Sequence, residues 1–120
     1  MSGGGGRENT GMEVIGQAGE WAEPDGTGAT YLEHLATDDL SIGTYSLRAG
    51  ASDPQSPHAE DEIYVVTKGR ARFTSGGQTV DACPGTVLFV PANEEHHFHD
   101  ITDDLALLVF FGPAYGSRGA

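Results

Sequence analysis

The sequence predicts an all-β domain, a barrel or sandwich of short antiparallel strands. Three observations carry this. Apolar and polar residues alternate over short runs, the period of a strand with one buried face. Clusters of Gly, Pro, Asn and Asp interrupt these runs at regular intervals. No stretch of any length repeats its apolar residues at the 3.6-residue period of a helix.

The elements follow in order. Residues 1–11 form a Gly-rich, polar tail expected to be disordered. Its Gly3–Gly6 run lacks the lysine and the preceding strand of a phosphate loop. Glu20–Gly28 is a turn-rich approach segment, with Trp21 as a core or lid anchor. Strands are expected over Ala29–Ala36 and Leu40–Arg48, broken by Thr37–Asp39 and then by Ala49–Pro57. Glu62–Lys68 is the next strand, turning at Gly69 into Arg70–Ser75. Gly76 and Gly77 make a hairpin into Gln78–Ala82. Pro84-Gly85 leads to Thr86–Val90, and Pro91–Glu95 turns into His96–Asp100. Asp103 and Asp104 separate that strand from Leu105–Gly112. The domain therefore runs over residues 12–113, with 114–120 as a loose C-terminal tail.

At 120 residues the chain holds one domain with a real core. Its 18 acidic residues against 6 basic ones leave a net charge of −12. Nucleic-acid binding needs a basic footprint, and an anionic membrane surface attracts basic residues, so both partners are excluded. Cys83 is the single cysteine, so no internal disulfide forms. No apolar run is long enough to span a membrane, and the N-terminus lacks the apolar centre of a signal peptide. The expected location is the cytoplasm.

Possible ligands concentrate in two segments, His58–Glu62 and His96–Asp100. Side chains alternate along a strand, so His58, Glu60, Glu62, Tyr64 and Val66 share one face. On the second strand His96, Phe98 and Asp100 share one face, and His97 and His99 the other. Parity alone does not say which set looks inward. Histidines and a carboxylate meeting on an interior face suit a first-row metal ion.

The spacing of these residues resembles that of the cupins. Their first motif is G-x5-H-x-H-x3–4-E-x6-G. Here Gly50 is followed by Ser56-Pro57-His58, then Glu62, then Gly69. Their second motif is G-x5-P-x-G-x2-H-x3-N, matched here by Gly85, Pro91-Ala92-Asn93, His96 and Asp100. Asn93 stands for a turn glycine and tolerates the left-handed conformation. Ser56 stands where the family places its first metal histidine. The resemblance covers the central half of the chain.

The resemblance implies a double-sheet antiparallel β-barrel of the jelly-roll type, and a homodimer. It implies a divalent metal (Fe, Zn, Ni, Mn or Cu) held by His58, Glu62 and His96. Gln55 is a possible fourth ligand, although parity turns it away unless Pro54 and Pro57 distort the chain. Glu60 and Tyr64 are candidate proton carriers. Phe89, Phe98 and Tyr45 are candidate cavity-lining residues, with His34 a weaker one. The implied function is metal-dependent action on a small organic molecule, of dioxygenase, isomerase, cyclase or lyase type. The alternative is a non-catalytic small-ligand binder whose metal site is degenerate or absent.

Overall fold

A computed structural model describes residues 11–118. The expected disorder of the N-terminal tail falls, Gly11 apart, outside the described residues. Among those residues there are six strands and no helix. They are β1 (Ala29–Ala36), β2 (Ser41–Leu47), β3 (Asp61–Ser75), β4 (Gln78–Ala82), β5 (Val87–Val90) and β6 (His96–Gly112). All pairings are antiparallel, in the order β1-β2-β6-β3-β4, with β5 on the free side of β3. The fold is an antiparallel jelly-roll barrel. No helix of the described residues is long and apolar enough to cross a membrane.

The two long strands belong to both layers. The first half of β3 lies between β5 and the second half of β6; its second half lies between β4 and the first half of β6. Gly69 and the Asp103–Asp104 pair, expected as breaks, are instead inside continuous strands. At Gly69 the register slips, and the inward parity switches from Glu62, Tyr64 and Val66 to Ala71 and Phe73. In β6 it switches from His96 and Phe98 to Leu105, Leu107, Val109 and Phe111. Asp100, at φ 48°, lies between the two sets. A bulge of this kind passes a strand from one layer to the next without ending it. Gly69 is required there: its φ is 92°, and a Cβ would lie 2.2 Å from the Asp104 carbonyl oxygen.

The interior is apolar below the barrel mouth. Leu47, Tyr64, Val66, Phe73, Phe98, Leu105 and Leu107 are almost wholly buried, each contributing about 1.5–3 kcal/mol. The outer face of β2 is covered too. Gly19 N donates to Thr44 Oγ1 (2.8 Å) and Ala22 N to Ser46 Oγ (3.2 Å), while Thr67 Oγ1 donates to the Gly19 carbonyl. Trp21, half-buried with Lys68 Nζ 5.7 Å from its ring, anchors this segment on the outside of the barrel.

The C-terminal residues are not loose as far as they are described. Ala114 is buried, Tyr115 N donates to Ser41 Oγ (3.0 Å), and Arg118 N donates to Glu60 Oε2 (3.2 Å). Residues 114–118 therefore close one side of the mouth.

Candidate metal centre

β3 and β6 bring the two ligand segments together. His58, Glu62 and His96 each offer one ligand atom, and these atoms lie within 4.8 Å of one another. Glu62 sits near the start of β3, facing inward, and is 2% exposed. His96 opens β6, so its parity question resolves with His96 and Phe98 inward and His97 exposed. Asn93, at φ 68°, makes the turn that delivers His96, as its position in the motif implies. Asn93 N also donates to the His58 carbonyl (2.6 Å), tying the two ligand segments to each other.

The protonation pattern of His96 is decisive. Its Nδ1 lies 2.8 Å from the Glu94 carbonyl oxygen, which can only accept, so Nδ1 carries the proton. In the neutral ring Nε2 is then a bare acceptor. It faces Glu62 Oε1 at 3.0 Å, and neither buried atom has a hydrogen bond. Two acceptors this close, out of water, need a cation between them, either a proton on Nε2 or a metal ion. A histidine that gives its other N–H to a backbone carbonyl is the usual support of a metal ligand. The donor set, two imidazoles and a carboxylate, fits a divalent first-row metal.

The same geometry sets the proton affinities. Burial disfavours the charged form of His96, but Glu62 and the Glu94 carbonyl outweigh it and raise its pKa. Burial dominates at His58 and lowers its pKa, despite Glu62, whose Oε1 is 3.9 Å from Nε2.

Gln55 enters the site from a loop. Its Nε2 donates to Asp53 Oδ2 (2.8 Å), which points its Oε1 at Tyr64 OH (2.7 Å) and His58 Nε2 (3.3 Å). The expected outward parity of Gln55 fails because Ala51–Pro57 is not a strand. Asp53 also accepts from Tyr45 OH (2.6 Å) and Phe98 N (2.8 Å), so one carboxylate fixes the loop to β2 and β6. Ser56 lines the cavity but is exposed, and Gln55 takes the inward position beside the ligands.

The other candidates separate clearly. Glu60 is 2% exposed and lines the cavity. Tyr64 lines it as well, with its hydroxyl donated to Gln55. Burial, with Glu62 and Asp53 nearby, raises the Tyr64 pKa well above the usual phenol value, so it is a donor that positions Gln55 and not a base. Tyr45 lines the cavity. Phe98 lies beneath it, packed on Tyr64 and Phe73. Phe89 does not line it: the side chain is 61% exposed, because the inward residues of β5 are Leu88 and Val90. His34 is also elsewhere, with Nε2 2.6 Å from Thr44 Oγ1 on the outer face.

Two cavity-lining tyrosines, and the carboxylate that orients Gln55, escaped sequence reasoning. Asp53 immediately precedes Pro54 in a loop, where no strand alternation gives its direction. Tyr31 shares the alternation of β1 and pairs with Tyr45, a signal that parity could have used. Tyr115 sits in a Gly- and Ser-rich segment that reads as a tail, yet its ring centroid is 5.2 Å from that of His58. The cavity that Tyr31 and Tyr115 complete measures about 530 Å³.

The chain matches the cupin domain model over residues 43–112. It is 45% identical over 92 residues to the uncharacterized protein SCO3923 of Streptomyces coelicolor, covering 77% of this chain and 88% of that one. Solved structures with the same fold include an RmlC-like cupin from Desulfovibrio desulfuricans (22% identity, 86% of this chain and 98% of that one, TM-score 0.72). KdgF from Halomonas sp. is similar (21% identity, 75% and 84%, TM-score 0.68). So is the DMSP lyase DddQ from Ruegeria pomeroyi (20% identity, 83% and 54%, TM-score 0.67). With its motif residues, its barrel and its domain match in agreement, the chain belongs to the cupin family.

Proposed function

We propose that this cupin binds a divalent metal through His58, Glu62 and His96 and acts on a small organic molecule in the cavity above them. The observation that carries this reading is the bare Nε2 of His96 facing Glu62 Oε1 with no donor between them. A metal there would polarise a substrate oxygen or acidify a bound water, or with iron would take substrate and dioxygen. The chain's own residues do the rest. Asp53 and Tyr64 hold Gln55 Oε1 toward the centre as a further oxygen donor. Glu60, a buried carboxylate on the cavity wall, can take a proton from the substrate and return it. Among dioxygenase, isomerase, cyclase and lyase chemistry, the likeness in fold to DMSP lyases supports the last. The cytoplasm suits the free Cys83 thiol.

A second reading is a non-catalytic binder of a small molecule. It is favoured by the loss of a histidine at position 56 and by the engagement of His58 Nε2 with Gln55. Elemental analysis of protein purified without a metal-charged column separates the two. Near-stoichiometric metal that disappears in Glu62→Ala and His96→Ala supports the first. No metal in the wild type, and none taken up when Fe, Zn, Ni, Mn and Cu are offered, leaves the second.

We also propose a homodimer. Ile42, Phe110, Ile63 and Phe89 lie in register across β2, β6, β3 and β5 on the outer face of the sheet. Val65 and Val87 extend the row. Ile63, Val87 and Phe89 are substantially exposed, and the strip carries no charge. Two copies with net charge −12 can meet there without facing like charges.

A further inference from the structure

We infer that the cavity selects an organic cation, with its charged head against the aromatic wall and the Glu60 carboxylate. The inference rests on the cavity being the substrate site. Its lining contains the carboxylates of Glu60 and Glu62 and no Lys or Arg. Glu62 is committed to the metal cluster, whereas Glu60 is not. Among the described residues the one hydrogen bond to Glu60 comes from the backbone N of Arg118, at Oε2. The Arg118 guanidinium turns instead to the Ala59 carbonyl oxygen (3.0 Å). Among the described residues Glu60 is therefore a carboxylate, 2% exposed, with no ion pair to Lys or Arg. A buried charge left in this way is costly, and a cationic guest relieves the cost.

The aromatic wall points to the same class. Tyr31, Phe111 and Tyr115 form one cluster, with centroid separations of 6.4, 6.2 and 4.8 Å, and all three line the cavity. Ring faces attract cations through the ring quadrupole, most strongly out of water, and rings around a quaternary ammonium group are a recurring use of this attraction. The ring faces and the carboxylates repel an anionic group, which could gain only hydrogen bonds from the phenol hydroxyls, the unpartnered Tyr31 OH among them, apart from what the metal itself would supply. An uncharged molecule of equal shape gains the burial but not the charge terms.

Calorimetric titration of the metal-loaded full chain tests this with three probes of similar shape. They are choline, its uncharged analogue 3,3-dimethyl-1-butanol, and the anion 3,3-dimethylbutyrate. Choline is expected to bind roughly tenfold or more tightly than the alcohol, and the anion more weakly than either. Glu60→Gln, close in shape, should remove most of choline's advantage and leave the metal content unchanged. Tyr115→Leu should weaken choline more than the alcohol. Equal binding of choline and the alcohol, stronger binding of the anion, or no binding of choline overturns the inference. Repeating the series after chelation keeps the readings apart. A choline preference in protein that never takes up metal upholds the cation site and refutes the metal centre. Stoichiometric metal with the anion preferred does the reverse.

Discussion

Replacing Glu62 with glutamine should move stability in opposite directions with and without metal. In the metal-free fold, Glu62 Oε1 lies 3.0 Å from His96 Nε2, and neither atom is satisfied. Glutamine has the same shape, carries no charge and brings an N–H that Nε2 can accept. Relieving a buried unsatisfied group recovers about 1–3 kcal/mol. At roughly 4 °C per kcal/mol for a domain of this size, Tm should rise by about 4–12 °C. A metal at a hundred times its Kd stabilises the wild type by about 2.7 kcal/mol, or roughly 11 °C. A neutral amide is a poor substitute for a carboxylate ligand, so the variant should lose this increment. Differential scanning calorimetry at pH 8, on chelated protein and then with each metal added, reads both numbers. A metal-free Glu62→Gln protein that melts below the chelated wild type refutes the argument. So does a variant that keeps the full metal increment.

Two other outcomes follow from the structure. The raised pKa of His96 adds stability to the metal-free fold below its ordinary value of 6.5, and this is lost as pH rises through the raised value. The lowered pKa of His58 removes stability as pH falls below 6.5. Glu62 does most to raise the His96 pKa, while the burial of His58 is common to both proteins, so the Tm advantage of metal-free Glu62→Gln should be small at pH 6.5 and below and grow as pH rises through the raised value; a gap independent of pH contradicts this. On the outer face, Phe89→Lys should convert the dimer to a monomer in sedimentation equilibrium with Tm lowered by no more than the lost association, since the side chain is 61% exposed. A wild type that is monomeric, or a variant that stays dimeric, removes the proposed interface.

The strand assignments were legible because period-2 alternation is a local property. Gln78–Ala82 matches β4 end for end, and β1 matches Ala29–Ala36. That these side chains share a face was legible for a similar reason: His58, Glu60 and Glu62 precede or begin a strand whose alternation continues through Tyr64 and Val66, and all five face inward. Gly69 was legible as a special position but not as a bulge. A glycine between two alternating runs has the same local pattern whether the chain turns back or slips register, and only the Asp104 carbonyl, 35 residues away in sequence, decides which.

The sequence by itself determined the fold class, the motif spacing and the three metal-ligand candidates, because each depends on residue type and short-range periodicity. Tertiary structure decided what surrounds them. Gln55 faces the centre because Asp53 is held by Tyr45 and Phe98, from β2 and β6. Phe89 faces away because β5 pairs with β3 in the register that puts Leu88 opposite Tyr64. Tyr115 joins the cavity because the chain after β6 folds back to Ser41 and Glu60. Loop direction, register and return path depend on contacts between residues far apart in the chain. The proton position on His96 depends likewise on the packing of a carbonyl two residues before it in a turn.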